Sequence, residues 1–372
     1  MKILLVGIST RALAQSAARI GYEILSLDFF GDSDQPEGAE VYSLVRDFGE
    51  PPELSALARV ASRFVSRADK VVIEAGLENE PALLEICSPK KRWGNSAETV
   101  TGARDLGRVR EVLRGTDIVL PKTIRAGEKL PTSGHYLIKD PSHSGGRGVR
   151  EWDGVTPPTG QDVLQVFVEG ELASACFVAD GRQASLLGLT RQYTGESGLN
   201  APQNGWCGNV APWNDPFLEP IILKAVNVLT AHFGLVGLNG IDFILQNNVP
   251  YLLEVNPRPP ASFELFERLK GLNAFRLHVE ACEGMLPRFQ QSAGIGTDRS
   301  GLALGKGILY ASKDITIGDS RSWAAQDVAD IPHLGEQIPQ GAPICTLFAK
   351  GENTVKCWDA VLSKARNWPP SV

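Results

Sequence analysis

The sequence predicts a mixed fold, α/β over residues 1–100, with strands and helices less regularly interleaved behind it and a small β-rich end. Three observations carry this. Apolar strand-like and helix-periodic runs alternate through residues 1–100. Two apolar segments, Ile241–Leu245 and Tyr251–Val255, flank a polar turn containing Asn247, Asn248 and Pro250, which reads as a hairpin. Residues 300–372 hold short strand-like runs and one final helix.

Taken in order, Lys2–Val6 is a continuous apolar strand, and Ser9 or Thr10 can cap a helix running to about Gly21. Tyr22–Asp28 and Val71–Glu74 are further strands, Leu54–Arg67 has helical periodicity, and Pro81–Cys87 is a short helix. This order implies a parallel sheet covered by helices. Ala103–Arg114 is expected to be one helix, followed by a strand edge at Asp117–Pro121. Tyr136–Lys139, Val163–Val168 and Leu172–Ala179 are strands, and Pro220–Phe233 is an amphipathic helix. Phe263–Leu269 and Ala274–Gly284 are helices, and residues 286–300 read as a linker. Beyond it come strands at Ala303–Ala311 and Ile344–Ala349 and a helix near Trp358–Ala365. The expected domains are therefore 1–100, 101–285 and 300–372.

Composition excludes several classes. The chain has 372 residues, 43% hydrophobic and 22% charged, and a formal net charge of -6 with no Lys/Arg-rich run. That argues against nucleic acid as a partner. No apolar run approaches the roughly 18 residues of a membrane span. The apolar start, Met1 to Gly7, lacks a cleavage site and reads as a buried strand. Six cysteines lie scattered without a CxxC pair, the usage of reduced thiols in a cytoplasmic protein. The five histidines form no ligand-spaced cluster, which argues against zinc. The first turn, Gly7-Ile-Ser-Thr-Arg11, is not GxGxxG, which argues against a dinucleotide.

The hairpin carries the strongest chemical signal. A three-residue loop centred on Asn248 places Asp242 opposite Glu254, with Asn256 on the same face. Carboxylates facing each other across a hairpin repel. A hard divalent cation removes that repulsion, and Mg²⁺ keeps few protein ligands and takes phosphate oxygens for the rest. Asn256-Pro-Arg258 then ends the strand and sets a guanidinium beside the acids. Without a ligand, the same segment reads as a surface hairpin with solvated acids.

Two more segments follow the same theme. The Gly-rich stretch Ser142–Gly148 can bring backbone amides close to phosphate, with Lys139 reaching the same oxygens. It is not a Walker A loop, and on its own it reads equally well as a hairpin turn. The strand Leu164–Val168 ends in the acidic turn Glu169-Gly-Glu171 and could receive an adenine, although an ordinary core strand has the same pattern.

Taken together, a strand lysine, a Gly-rich loop, Gln165-x-Phe-Val-Glu-Gly-Glu171, then Asp242 and Glu254-x-Asn-Pro-Arg258 resemble the ATP-grasp superfamily over roughly residues 1–285. The resemblance implies an α/β and α+β fold: an N-terminal Rossmann-like pre-ATP-grasp domain, a two-subdomain ATP-grasp core and a small β-rich C-terminal domain. By position, Lys139 matches the phosphate lysine, and Ser144, Gly145, Gly146 and Gly148 match the loop over the phosphates. Gln165, Phe167 and Val168 match the adenine hinge. Glu171 is the first choice for the ribose carboxylate and Glu169 the second. Asp242, Glu254 and Asn256 match ligands of Mg²⁺ (or Mn²⁺), and Arg258 matches the arginine that steadies the transferred phosphate. One departure stands out: Leu106 replaces an expected lysine in Ala103-Arg-Asp-Leu-Gly-Arg108, leaving Arg104 or Arg108 as substitutes.

The implied function is an ATP-dependent carboxylate–amine ligase that works through an acyl phosphate. The chain's Asn256-Pro-Arg-Pro-Pro segment looks more like the small carboxylate–amine ligases than the biotin-dependent carboxylases. Its C-terminal segment resembles those of purine-pathway members and of coenzyme-biosynthesis ligases such as tyramine–glutamate ligases. Partners would be small carboxylate and amine substrates, with a homodimer left open. Arg11, Glu78, Asn79, Arg191, Trp206, Asn209 and Ser262 are candidates to line the substrate cleft. The alternatives are a non-catalytic ATP-binding regulator, for which Leu106 is the hint, and a purine-pathway-like enzyme.

Overall fold

A computed structural model describes residues 1–76, 79–140, 145–146, 148–287 and 301–368. At the N-terminus, β1 (Lys2–Val6) is followed by α1 (Arg11–Ala18), β2 (Glu23–Asp28) and β3 (Glu40–Ser43). Helices α2 (Leu44–Phe48) and α3 (Leu54–Ala61) lead to β4 (Lys70–Ile73). All pairs in this sheet are parallel, in the order β3-β2-β1-β4. Ile3 to Val6 are wholly buried, as expected for a strand covered on both faces. The chain moves outward from β1 to β3 and then crosses to the far side of β1 for β4. A crevice therefore opens between the C-terminal ends of β1 and β4. Thr10 precedes α1 without capping it; its backbone N–H and its hydroxyl both donate to Asp28 instead.

Beyond α4 (Pro81–Glu85), the expected helix Ala103–Arg114 is two helices, α5 (Ala97–Arg104) and α6 (Leu106–Val112). Asp105 breaks them apart. It adopts an extended conformation and its carboxylate accepts from the N–H groups of Gly107 and Arg108, starting a new helix. Four antiparallel strands follow: β5 (Thr123–Arg125), β6 (Tyr136–Lys139), β7 (Val149–Glu151) and β8 (Val163–Val166), in the order β5-β8-β6-β7.

The largest sheet has eight strands. It takes in β9 (Glu171–Asp180), β10 (Ala184–Thr194), β11 (Trp206–Ala211) and, after α7 (Leu218–Phe233), β12 (Val236–Gln246) and β13 (Val249–Asn256). Helices α8 (Phe263–Lys270) and α9 (Ala274–Cys282) come next. The same sheet continues through β14 (Ala303–Tyr310), which pairs with β11. Of the remaining strands, β15 (Ile315–Thr316) and β17 (Gln337–Ile338) pair with each other, while β16 (Val328–Ala329) and β18 (Pro343–Gly351) close the sheet beside β14. Helix α10 (Thr354–Arg366) packs on β18 and β14.

One face of the large sheet buries Phe177, Phe243 and Ile241 against α7. The opposite face shares a core with α8, α9 and α1, through Phe263, Phe266, Phe275 and Leu13. That core ties the N-terminal sheet to the large one. No helix among the described residues is long and apolar enough to cross a membrane.

Candidate functional site

The β12–β13 hairpin turns in two residues, not three: Gln246 pairs with Val249, and Asn247 and Asn248 take φ of 50° and 63°. Such a turn has two left-handed residues, which asparagine tolerates better than most. The shorter loop alone would put Asp242 opposite Leu253. A bulge between Asp242 and Phe243 restores the pairing, so Asp242 stands opposite Glu254 and Gly240 opposite Asn256. The expected register therefore holds for a different reason than a longer turn.

Both acids are half-buried. Burial, and then the neighbouring Glu254, push the Asp242 carboxyl well above the usual range. Asn256 donates from Nδ2 to Asp242 Oδ2 at 3.0 Å, and Arg258 donates to Asn256 Oδ1 at 3.2 Å. Lys139, at the end of β6 in the smaller sheet, feels both acids. Burial lowers its pKa, and Glu254 and Asp242 oppose that fall. The fold thus brings Lys139, Asp242, Glu254, Asn256 and Arg258 into one electrostatic group.

The glycine-rich segment lies against the large sheet. Gly145 and Gly146 have φ of 65° and 79°, and a Cβ on Gly146 would sit 1.9 Å from the carbonyl oxygen of Asn204. Only glycine fits there. Trp206 donates its backbone N–H to the Gly145 carbonyl at 2.8 Å, and Asp140 donates to the Gly148 carbonyl at 2.9 Å. Ser144 lies outside the described residues, as does Glu78.

The segment from Gln165 to Glu171 connects β8 of the smaller sheet to β9 of the larger. Gln165 is buried beside Thr123, and Val168 is buried too. Phe167 is 41% exposed, packs on His135 with ring centroids 4.4 Å apart, and donates its N–H to the His135 carbonyl. The Glu169 carbonyl accepts from Gln246, while the Glu171 side chain is ion-paired to Arg191. Arg104 and Arg108 are both engaged elsewhere: Arg104 donates to Asn79 Oδ1 at 2.7 Å, and Arg108 lies over the Phe233 ring.

A hydroxyl–amide row beside Asp242 escaped the sequence reading in part. Ser174 on β9 is the cross-strand neighbour of Asp242, and its hydroxyl meets Thr190 at 2.8 Å. Asn209 donates to both, and Trp206 donates from its indole to Asn209 at 2.8 Å. Trp206 and Asn209 were expected near the cleft. Ser174 was not, although a lone hydroxyl between Ala173 and Ala175 on an apolar strand is the signal that marks it.

Residues 104–262 match the ATP-grasp domain. An uncharacterized protein of Methanocaldococcus jannaschii is 21% identical over 94% of this chain and 88% of its own length. Tyramine–L-glutamate ligase of the same organism is 29% identical over 26% of this chain and 29% of its own. Among solved structures, N5-carboxyaminoimidazole ribonucleotide synthetase from Thermotoga maritima aligns with a TM-score of 0.65 and 13% identity over 98% of both chains. L-amino acid ligase from Bacillus licheniformis aligns at 0.67 and 15% over 99% of this chain and 97% of that one. The paired acids and the glycine loop thus lie within the stretch, residues 104–262, that matches the ATP-grasp domain.

Proposed function

We propose that this protein is an ATP-dependent ligase that joins a carboxylate to an amine through an acyl phosphate and releases ADP and phosphate. The observation that carries the reading is the pairing of Asp242 with Glu254, backed by Asn256 and Arg258 and faced by Lys139. Two hard carboxylates held against each other at a cost, with an amide oxygen alongside, fit Mg²⁺ or Mn²⁺. A cation held by Asp242, Glu254 and Asn256 would neutralise charge on the transferring phosphoryl group.

The chain's own residues do the rest. Lys139 supplies positive charge to the nucleotide phosphates, and Arg258 steadies the transferred group. Gly145, Gly146 and Gly148 let the backbone approach phosphate and keep water from the acyl phosphate. Gln165, Phe167 and Val168 receive the adenine. Glu171 takes the ribose hydroxyls in competition with Arg191, and Glu169 is its rival. The phosphoryl group passes to a carboxylate oxygen of the substrate, the amine attacks the acyl carbon, and phosphate leaves. The partial match to tyramine–L-glutamate ligase supports a small amine and a small carboxylate as the substrates.

The test is Mg²⁺-dependent ADP release against pools of carboxylates, with hydroxylamine as trap. Hydroxamate should form with one pool. A chain that binds ATP yet releases no ADP and forms no hydroxamate with any pool overturns the ligase reading.

A further inference from the structure

Ser174, Thr190 and Asn209 are 5%, 0% and 2% exposed and meet on one face of β9, β10 and β11. Polar groups buried this deeply must find a partner for every donor. The two ends of the row differ. Beyond Asn209 the next strand, β14, puts Lys306 in register, and Lys306 donates to Glu264 at 3.0 Å. Glu264 also takes Arg11 at 2.6 Å, whose guanidinium reaches Asp330 at 3.0 Å with Asp34 3.6 Å away. That end is closed. At the other end Ser174 stands beside Asp242 of β12, and among the described residues no hydrogen bond joins the two.

One group fixes the direction of every hydrogen bond in the row. An indole N–H can only donate. Trp206 Nε1 lies 2.8 Å from Asn209, so the amide turns its oxygen to the indole and its NH₂ to the hydroxyls. Nδ2 then donates to Thr190 at 2.8 Å and to Ser174 at 3.3 Å. Both hydroxyls accept from Asn209, and each still carries a proton. The contact between them at 2.8 Å uses one of the two. The row therefore holds one O–H more than it has acceptors for. Left on the wholly buried Thr190, that proton would be a buried donor without a partner, which costs more than a made bond gains. Thr190 thus donates to Ser174, and Ser174 presents its own proton at the open end, next to Asp242.

The proposed phosphoryl-transfer site lies at that end. Lys139 of the smaller sheet feels Asp242 and Glu254, and a cation held by these acids would take its remaining ligands from phosphate oxygens. Side chains directly opposed on neighbouring strands stand about 5 Å apart at Cβ. A hydroxyl one strand over from a cation ligand therefore reaches an oxygen of the same phosphoryl group. Such an oxygen only accepts, and a donor held in place by its own buried partners suits it.

We propose that Ser174 is a further residue of this site, its hydroxyl donating to a γ-phosphoryl oxygen of the nucleotide. This rests on the reading above that sets the nucleotide phosphates beside Asp242. The test is calorimetric titration of the full chain, in Mg²⁺, with ADP and with the β,γ-imido analogue of ATP. Ser174→Ala should weaken the analogue about 10- to 100-fold and leave ADP within about twofold. Ser174→Thr, which keeps the hydroxyl, should bind both as the unaltered chain does. If Ser174→Ala does not fold, Trp206→Phe serves instead: it removes the indole N–H, lets the amide turn, and should weaken the analogue at least about threefold with ADP spared. Equal loss for both nucleotides would put the hydroxyl on Asp242 or in the packing and overturns the proposal. So does unchanged analogue binding in the variant tested, or a loss in Ser174→Thr as large as in Ser174→Ala. The titration needs no turnover. A loss confined to the analogue, in a chain that releases no ADP with any carboxylate pool, sinks the ligase reading alone. ADP release and hydroxamate formation, with unchanged analogue binding in Ser174→Ala, sink this proposal alone.

Discussion

The hairpin acids and the acids around Arg11 use the same side chains in opposite ways. Asp242 and Glu254 face each other, with the Asn256 amide bonded to Asp242 and the charges of Lys139 and Arg258 in the same field. Glu264 and Asp330 instead close on a guanidinium at hydrogen-bond distance. Burial opposes ionisation in both places. Around Arg11 the cations win, and Glu264 and Asp330 are held below the usual carboxyl range. At the hairpin burial and Glu254 win, and Asp242 is held above it. A cluster that satisfies itself holds the fold together; one that does not is poised to take a ligand.

The comparison breaks most visibly at Arg11. Arg11→Met would leave Glu264, Asp330 and Asp34 buried without their shared partner and should cost about 4 kcal/mol in urea unfolding. A loss below about 1 kcal/mol would mean that the cluster is not held by charge. Next comes Asp242→Asn. It should lower turnover about 10²- to 10³-fold while leaving Tm unchanged or raised, because it removes a like-charge contact. Wild-type turnover at saturating Mg·ATP would erase the distinction between the clusters.

His278 calibrates both from outside. Burial lowers its pKa to about 4, and its Nδ1 accepts from the Leu238 N–H. The folded pKa lies below the unfolded one. The stabilising contribution is therefore complete above about pH 6.5 and lost as pH falls toward 4, amounting to about 3 kcal/mol at most. His278→Gln should flatten the loss of stability between pH 6.5 and 4 measured by urea unfolding; an unchanged slope would assign that loss to the carboxylates. The smallest effect belongs to the turn. Asn248→Ala puts a less tolerant residue at φ of 63° and should cost about 1 kcal/mol in the same measurement, with turnover intact if the bulge holds the register.

The two clusters also differ in how far sequence reaches them. Asp242, Glu254 and Asn256 lie within 14 residues, so strand periodicity sets their common face. The bulge and the shorter turn cancel, which is why a wrong loop length still placed the acids correctly. Arg11 meets Glu264 across 253 residues and Asp330 across 319. No local pattern encodes such a meeting. Arg11 could be singled out beforehand only as a cleft candidate, and Asp330 not at all. Asp105 shows the opposite failure: a local cap was present in the sequence, but the apolar periodicity through Ala103–Arg114 hid the break.

The shared sheet gives residues 301–372 an unexpected status. Strand β14 is laced to β11 on one side and β18 on the other, and Asp330 reaches back to Arg11. A backbone nick between residues 287 and 301 should thus leave two fragments that stay assembled, as in a split protein. Expressing residues 1–287 alone would strip β11 of its neighbour and bare a ladder of unpaired amides to other molecules. Supplying residues 301–372 in trans should restore solubility, and so make this strand exchange a switchable on–off handle for the whole protein.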